Sequence, residues 1–523
     1  MTEKFIQHKA IRVICYSVIC AFFLISWISF IYIPMTGDIK VFLGSARQSS
    51  YISSSILIGA FQAWELKSVL SRLLICIIYR ISSLFFAYGT LEFEITCKFV
   101  YSLIILIGTF ITIRLLVERK KALFYSVILS TVFFATHTCC QMQVEMTVSV
   151  ILLISCSLYI NSIRTQKRTT LKLIVSGILI GTVFFFKSIL ILMSISMLAT
   201  IIMYLFYTGE SLSLKRLLIV VFGSLLSLLA IFLLILVINP REIQDIINAS
   251  AFQSTLFSVH PSIKEILSAF ISNHIKNILF IPITILGIVA LIINTFLSLR
   301  NKEFKLFLCH VILWIMPAIF IMLSNKYFAY HFAVYIYPSV IELYFFIIYK
   351  NKVLNCAILI LAILTGIWYM FAFSFFSGNF RVYYDLNIEA YEKTEESLIA
   401  MSFDSDETVL YLDGGCAGYC LGNKSYLKYY YPLPLQRLPE NSELECYRDS
   451  LSAVLDYEGK YIALDSSWFF GLQKNQSIKE KIKNEYQIIG TYYMFSPPFS
   501  INPDNAHVSE MEIYVKKNAI TNN

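Results

Sequence analysis

The chain is short of charge. Of its 523 residues only 15% are Asp, Glu, Lys or Arg, where a soluble protein carries about 25%. That shortage excludes an ordinary cytosolic enzyme, a disordered chain and a nucleic-acid-binding protein. What replaces charge is apolar surface: 57% of the residues are aliphatic, aromatic or Cys, and the mean hydropathy is +0.69. This surplus is concentrated in runs of about 20 residues, long enough to cross a bilayer as helices. The net charge of +8 is also uneven. Residues 376–523 hold 13 Lys+Arg against 21 Asp+Glu, which leaves 29 basic and 13 acidic residues in the first 375. An acidic, water-facing tail therefore follows a basic, apolar body.

Eleven spans are expected, over residues 11–33, 97–117, 122–137, 147–161, 173–186, 189–207, 217–238, 278–298, 306–324, 331–349 and 353–375. The two spans around Lys187 could also form one long kinked element. The first follows Lys4, His8, Lys9 and Arg12, is longer than a signal-peptide core and lacks a cleavage site, so it reads as a retained helix. Alternate loops hold Arg119–Lys121, then Arg164, Lys167, Arg168 and Lys172, then Lys215 and Arg216, then Arg300, Lys302 and Lys305, then Lys350 and Lys352. By the positive-inside rule these loops and the N-terminus are cytoplasmic, and an odd span count puts the tail outside or in the periplasm.

The expected architecture is thus a polytopic α-helical membrane protein, 1–375, followed by a small extracytoplasmic α/β domain, 376–523. Two outer segments, 34–96 and 239–277, are too long to be connectors. Within the first, residues 68–88 place Arg72 and Arg80 eight apart on one side of an apolar helix, which suits a helix lying in the interface. In the tail, strands are expected over 408–412, 461–464 and 511–516, and helices over 442–455 and 477–488. The Asp413–Gly422 sequence (DGGCAGYCLG) lacks the GxGxxG spacing of a phosphate loop and reads as a turn.

Acids are scarce in the spans, and no span carries a chain of mid-helix carboxylates. This counts against ion-coupled transport. The absence of internal repeats counts against an inverted-repeat transporter. The unusual charges gather instead at the outer face: Asp38, Arg47, Glu65, Lys67, Arg72, Glu145, Lys187, Lys326 and His331.

The order of these features resembles a family. A first span leads to an outer loop opening with Pro34-Met35-Thr36-Gly37-Asp38, followed by Trp64-Glu65-Leu66-Lys67 and Leu70-Ser71-Arg72. Gln143-Val144-Glu145 begins the fourth span, Gly181–Lys187 (GTVFFFK) ends the fifth, and Lys326-Tyr327 with Tyr330-His331 precedes Tyr337-Pro338. In the tail, residues 419–432 are similar to the outer domain of bacterial members. Together these resemble the GT-C superfamily of integral-membrane glycosyltransferases, in the branch of protein mannosyltransferases and the bacterial lipid A aminoarabinose transferase. The resemblance implies an inverting hexosyl- or pentosyltransferase of the cell envelope. It would move a sugar from a polyprenyl-phosphate donor to a glycan, lipid or protein acceptor outside the cytoplasm.

On that resemblance Asp38 is the general base and Glu145 a second catalytic acid. Lys67 and Arg72 bind the donor phosphate, and Glu65, Lys187, Lys326, Tyr330 and His331 line the substrate cavity. Some members use a divalent cation, and no ligand cluster in the sequence decides the point. Simpler roles stand beside these. Asp38 could cap a helix, Lys67 and Arg72 could anchor to lipid head groups, and Glu65 could pair with either of them. Glu145 could answer a helix dipole, while Lys187, Lys326 and His331 could snorkel. His137 with Cys139 and Cys140 reads as structural rather than metal-binding. Nine of the twelve cysteines lie in the apolar body, and Cys416, Cys420 and Cys446 leave room for one disulfide in the tail. Asn248, Asn423 and Asn475 begin Asn-x-Ser sequons. An O-antigen polymerase or ligase, which usually places paired arginines in a late outer loop, and a lipid-linked sugar flippase are the alternative functions.

Overall fold

The computed structural model describes residues 2–519, apart from 63–67, 137–141, 245–246, 248–262, 279–280, 325–328, 349–351, 428–432, 439, 441, 467–474 and 497–506. The chain divides into two compact units. The first comprises 1–33, 98–230 and 262–381, and the second 34–97, 231–261 and 382–523. Residues 34–97 thus share a unit with the tail.

The first unit is helical. Across the described residues of the whole chain, seven helices are long and apolar enough to cross a membrane: Leu91–Leu116, Val144–Thr165, Thr169–Phe186, Ser188–Thr208, Leu214–Ile238, Pro282–Arg300 and Phe304–Leu323. Counting Tyr16–Tyr32 with Gly37–Ile52 as one interrupted span makes eight. A mostly helical fold with seven or eight membrane-length helices among the described residues and a small C-terminal sheet is compatible with a polytopic membrane protein. The expected first and last spans lie within Thr2–Tyr32, 31 residues, and Lys352–Phe373, 22 residues, whereas Arg119–Phe134 has 16 residues and Ile336–Ile348 has 13. At 1.5 Å per residue, 13 residues cover about 20 Å of a hydrocarbon core about 30 Å thick. The pair around Lys187 is two elements. Lys187 is extended (φ −167°, ψ 113°) between Thr169–Phe186 and a 3-10 turn, Ser188–Leu192, that leads into Met193–Thr208.

Helices of the first unit approach closely where side chains are small. Gly177 and Gly181 on Thr169–Phe186 face Val220, Gly223, Ser224 and Ser227 on Leu214–Ile238. A methyl group built on Gly177 would stand 2.1 Å from the Val220 carbonyl oxygen. The Ser224 hydroxyl uses the closeness to donate to the Gly177 carbonyl at 3.0 Å.

In the second unit, helices Gly37–Ile52, Ile56–Gln62 and Val69–Ser82 occupy the first outer loop. The tail forms a four-stranded mixed sheet: β1 Val409–Leu412, β2 Tyr461–Leu464, β3 Tyr486–Met494 and β4 Ser509–Lys516, in the order β1-β2-β4-β3. β1 and β2 are parallel and buried along their whole length, and the other pairs are antiparallel. Helices Glu445–Leu455 and Gln476–Glu485 pack on Leu410, Leu412, Ile462 and Leu464 through Val454, Ile478 and Ile482. The helix expected over 477–488 stops at Glu485. From Tyr486 onward (YQIIGTYYM) β-branched and aromatic residues favour the pleated surface, and nine residues become β3. The long helix Gly378–Ala400 was not read from the sequence.

Candidate functional site

Three of the residues singled out by sequence meet in the first unit. Glu145 lies in the first turn of Val144–Thr165. Lys187 occupies the break after Thr169–Phe186, where its backbone still donates to Val183 but no longer continues the helix. His331 rides on a 3-10 turn, Ala329–Tyr335. The Lys187 ammonium donates to Glu145 Oε1 at 2.7 Å and lies 3.2 Å from His331 Nε2, which in turn is 3.7 Å from Glu145 Oε1. An ammonium has no lone pair to offer, so contact with it favours the imidazole with Nε2 as acceptor and its proton on Nδ1. The aromatic ring of Phe320 completes the surround, 5.0 Å from the Lys187 nitrogen and edge-on to His331.

Accessibility separates the three. The Lys187 side chain is 32% exposed, while those of Glu145 and His331 are 1% and 4% exposed. The arrangement is a buried carboxylate that holds the ammonium of a partly exposed lysine. Such a lysine can meet an anion without leaving a carboxylate unmatched in water, because its positive charge is already oriented. Tyr330, next to His331, is buried with its ring edge-on to the imidazole. Lys326 lies outside the described residues.

Asp38 belongs to the second unit. It sits exposed in the first turn of Gly37–Ile52, after an N-cap, Thr36, that makes no side-chain cap. The simpler reading, that Asp38 caps the helix, does not hold: the N-cap is Thr36, and Asp38 lies inside the first turn, where a carboxylate is favoured by the helix dipole. The turn that carries it is firmly built. The Gly37 N–H donates to Ser496 Oγ at 2.9 Å, and the Met35 N–H to Glu94 Oε1 at 2.6 Å. Two residues on, Lys40 is buried. It donates to the Phe495 carbonyl at 2.8 Å and Asn387 Oδ1 at 3.2 Å, and pairs with Glu94 at 3.9 Å. Glu94 also accepts from Asn387 and Tyr391. Sequence reading passed over Lys40 and Glu94, because nothing in spacing marks a lysine and an acid 54 positions apart as partners.

Arg72 does not face head groups. Its guanidinium is buried and paired with the buried Glu242, so its charge is matched within the chain. Glu65 and Lys67 lie outside the described residues, as do His137, Cys139 and Cys140. Arg47, half-buried, donates to the Tyr79 hydroxyl and the Gly422 carbonyl.

The glycine-rich turn of the tail supplies its own anion. The Asp413 carboxylate accepts the N–H groups of Gly415 and Ala417 at 3.0 and 2.6 Å, the groups a phosphate would need. The bend is thus closed by a buried side chain, and only the first half of Asp413–Gly422 is a turn, since Ala417–Leu421 form a short helix. Cys416, Cys420 and Cys446 are free thiols. Burial pushes the first two well up, Cys420 to about 12, so neither is a nucleophile at neutral pH. Two sequon asparagines are buried: Asn423 donates to the Asp404 and Glu407 carbonyls and Asn475 to that of Leu435. Asn248 lies outside the described residues.

A second buried cluster was missed. In the expected span 331–349, Glu342 accepts from His310 Nδ1 at 2.9 Å and from Asn294 Nδ2 at 2.7 Å, all three fully buried. The cluster joins helices Pro282–Arg300, Phe304–Ser324 and Ile336–Ile348. Among the described residues no group of three or more His, Cys, Asp or Glu is placed to hold a metal ion. Compared with family models, curated proteins and solved structures, the chain matches none.

Proposed function

We propose that the protein is a membrane glycosyltransferase that moves a sugar from a polyprenyl-phosphate donor to a glycan, lipid or protein acceptor on the outer face of the membrane. The observation that carries this reading is the meeting of Glu145, Lys187 and His331, drawn from positions up to 186 residues apart, which holds the ammonium of a partly exposed lysine in place. In the reaction an acceptor oxygen attacks the anomeric carbon as the bond from that carbon to the phosphate oxygen breaks. The configuration inverts, and the lipid phosphate leaves with the bonding pair. Asp38 takes the acceptor's proton as general base. Lys187, held by Glu145, offers a cation that suits the anionic group of such a donor. A cytoplasmic N-terminus and an outer tail belong to the same reading.

The test is transfer by purified, reconstituted protein supplied with radiolabelled polyprenyl-phosphate hexoses and pentoses and candidate acceptors. Asp38→Asn should lower kcat at least about 100-fold, the usual worth of a positioned base. Lys187→Gln should lower kcat/KM at least about 10-fold, while Lys187→Arg restores part of the loss. Transfer at the wild-type rate by Asp38→Asn removes the base assignment. Failure with every donor, together with movement of labelled donor across the vesicle, turns the reading to a flippase.

A further inference from the structure

The turn after helix Val69–Ser82 exposes three consecutive large apolar side chains: Leu84 (79%), Phe85 (68%) and Phe86 (44%). It is a built turn. Leu84 N–H donates to the Ile81 carbonyl, and the N–H groups of Phe85 and Phe86 to that of Ser82, at 3.1 to 3.2 Å. The base of the turn is fixed by Tyr88, whose hydroxyl donates to the Gly418 carbonyl and whose ring packs edge-on against Tyr79, Phe93 and Tyr419. No charged residue occurs from 81 to 91. Ile81 and Ile52 are exposed as well, and Arg80 donates to the Ser53 carbonyl, which joins their two helices at this edge. The arginines of the helix are therefore spoken for, one by Glu242 and one by backbone, and what faces outward is hydrocarbon.

We propose that Leu84, Phe85 and Phe86 form a wedge that inserts among the acyl chains of the bilayer. The occupant follows from chain connectivity. Five residues after Phe86, at Leu91, begins a 26-residue helix apolar enough to span, and five residues reach at most about 18 Å. The wedge is tethered that close to the first turn of this helix, whose apolar stretch follows Lys98. Exposed consecutive Leu and Phe are costly in water and favoured in the interfacial and acyl region. This inference holds whether or not the chain transfers sugars.

Leu84→Trp and Phe85→Trp, each in the full-length protein reconstituted in bilayers, test it. The emission each adds over wild type should be quenched several-fold by lipids brominated along the acyl chain and little by aqueous iodide. Ile488→Trp, at an exposed position of β3, should show the reverse. Iodide quenching of both wedge variants without bromolipid quenching overturns the proposal. Shielding from both quenchers that varies with the protein-to-lipid ratio also overturns it, in favour of a second copy. Relief of bromolipid quenching by saturating polyprenyl phosphate overturns it in favour of the donor's tail.

Discussion

Burial decides what a charged side chain can do here, and Asp413 shows it most clearly. Desolvation pushes its carboxyl from the ordinary 3.8 to about 6, against the pull of hydrogen bonds from Ala417 and Gly415. A folded-state value raised above the unfolded one means the fold favours the protonated acid. The stability this contributes is complete below about pH 4 and is lost as pH rises through 6, about 3 kcal/mol in all. Asp413→Asn keeps an oxygen for the turn and removes the ionisation. Its unfolding midpoint, measured from pH 4 to 7, should fall less steeply than that of the wild type. Equal slopes would show that Asp413 ionises at no cost in the fold. At the same scale, Lys187 and Arg72 looked alike in sequence as basic residues of the outer face. Both are paired with a carboxylate, and they differ in that the Lys187 side chain is partly exposed while Arg72 is enclosed with Glu242. Sequence shows the charge, and only packing shows how far the side chain is exposed.

At the scale of elements, periodicity placed most helices well, because an apolar run records burial against lipid or protein without reference to a partner. It does not show where an apolar run is broken in space, as at Lys187, since hydropathy sums residues without asking whether their backbone runs in one line. The end of the 477–488 helix failed for a local reason: charged helix formers give way at Tyr486 to residues that suit either state, and pairing with β4 decided for strand. The contact of Thr169–Phe186 with Leu214–Ile238 was not read from the sequence, although Gly177-x-x-x-Gly181 opposite Gly223-x-x-x-Ser227 is a spacing that lets two backbones touch. Gly177→Ala puts a methyl group against the Val220 carbonyl and a neighbouring backbone. Overpacking of this kind costs about 1–3 kcal/mol. The variant's unfolding temperature in detergent should drop, whereas Ser224→Ala, which loses one hydrogen bond at the same contact, should move it less. A Gly177→Ala protein as stable as wild type would mean the two helices do not meet there.

At the scale of the molecule, the acidic composition of the tail was legible in the sequence, but its dependence on residues 34–97 was not. Composition changes sharply near residue 376, which invites a boundary there. The contacts that cross that boundary, from Lys40 and Glu94 to Asn387, Tyr391 and Phe495, join residues about 300 to 450 positions apart. Loop and tail therefore form one unit, and neither should fold alone. Ending the chain at residue 381 leaves the Lys40 ammonium and the Glu94 carboxylate without Asn387, Phe495 and Tyr391. Each buried polar group so orphaned costs about 1–3 kcal/mol, and more for a charge. The truncated protein should keep its apolar helices in the membrane while residues 34–97 become open to protease, with new cleavage near Lys40 or Arg47. Conversely, residues 376–523 expressed alone should lack a cooperative thermal transition. Supplying that fragment with the truncated protein should restore protection of the loop. A protected loop in the truncated protein, or a cooperative melt of the isolated tail, would show that the 376 boundary divides two independent domains after all.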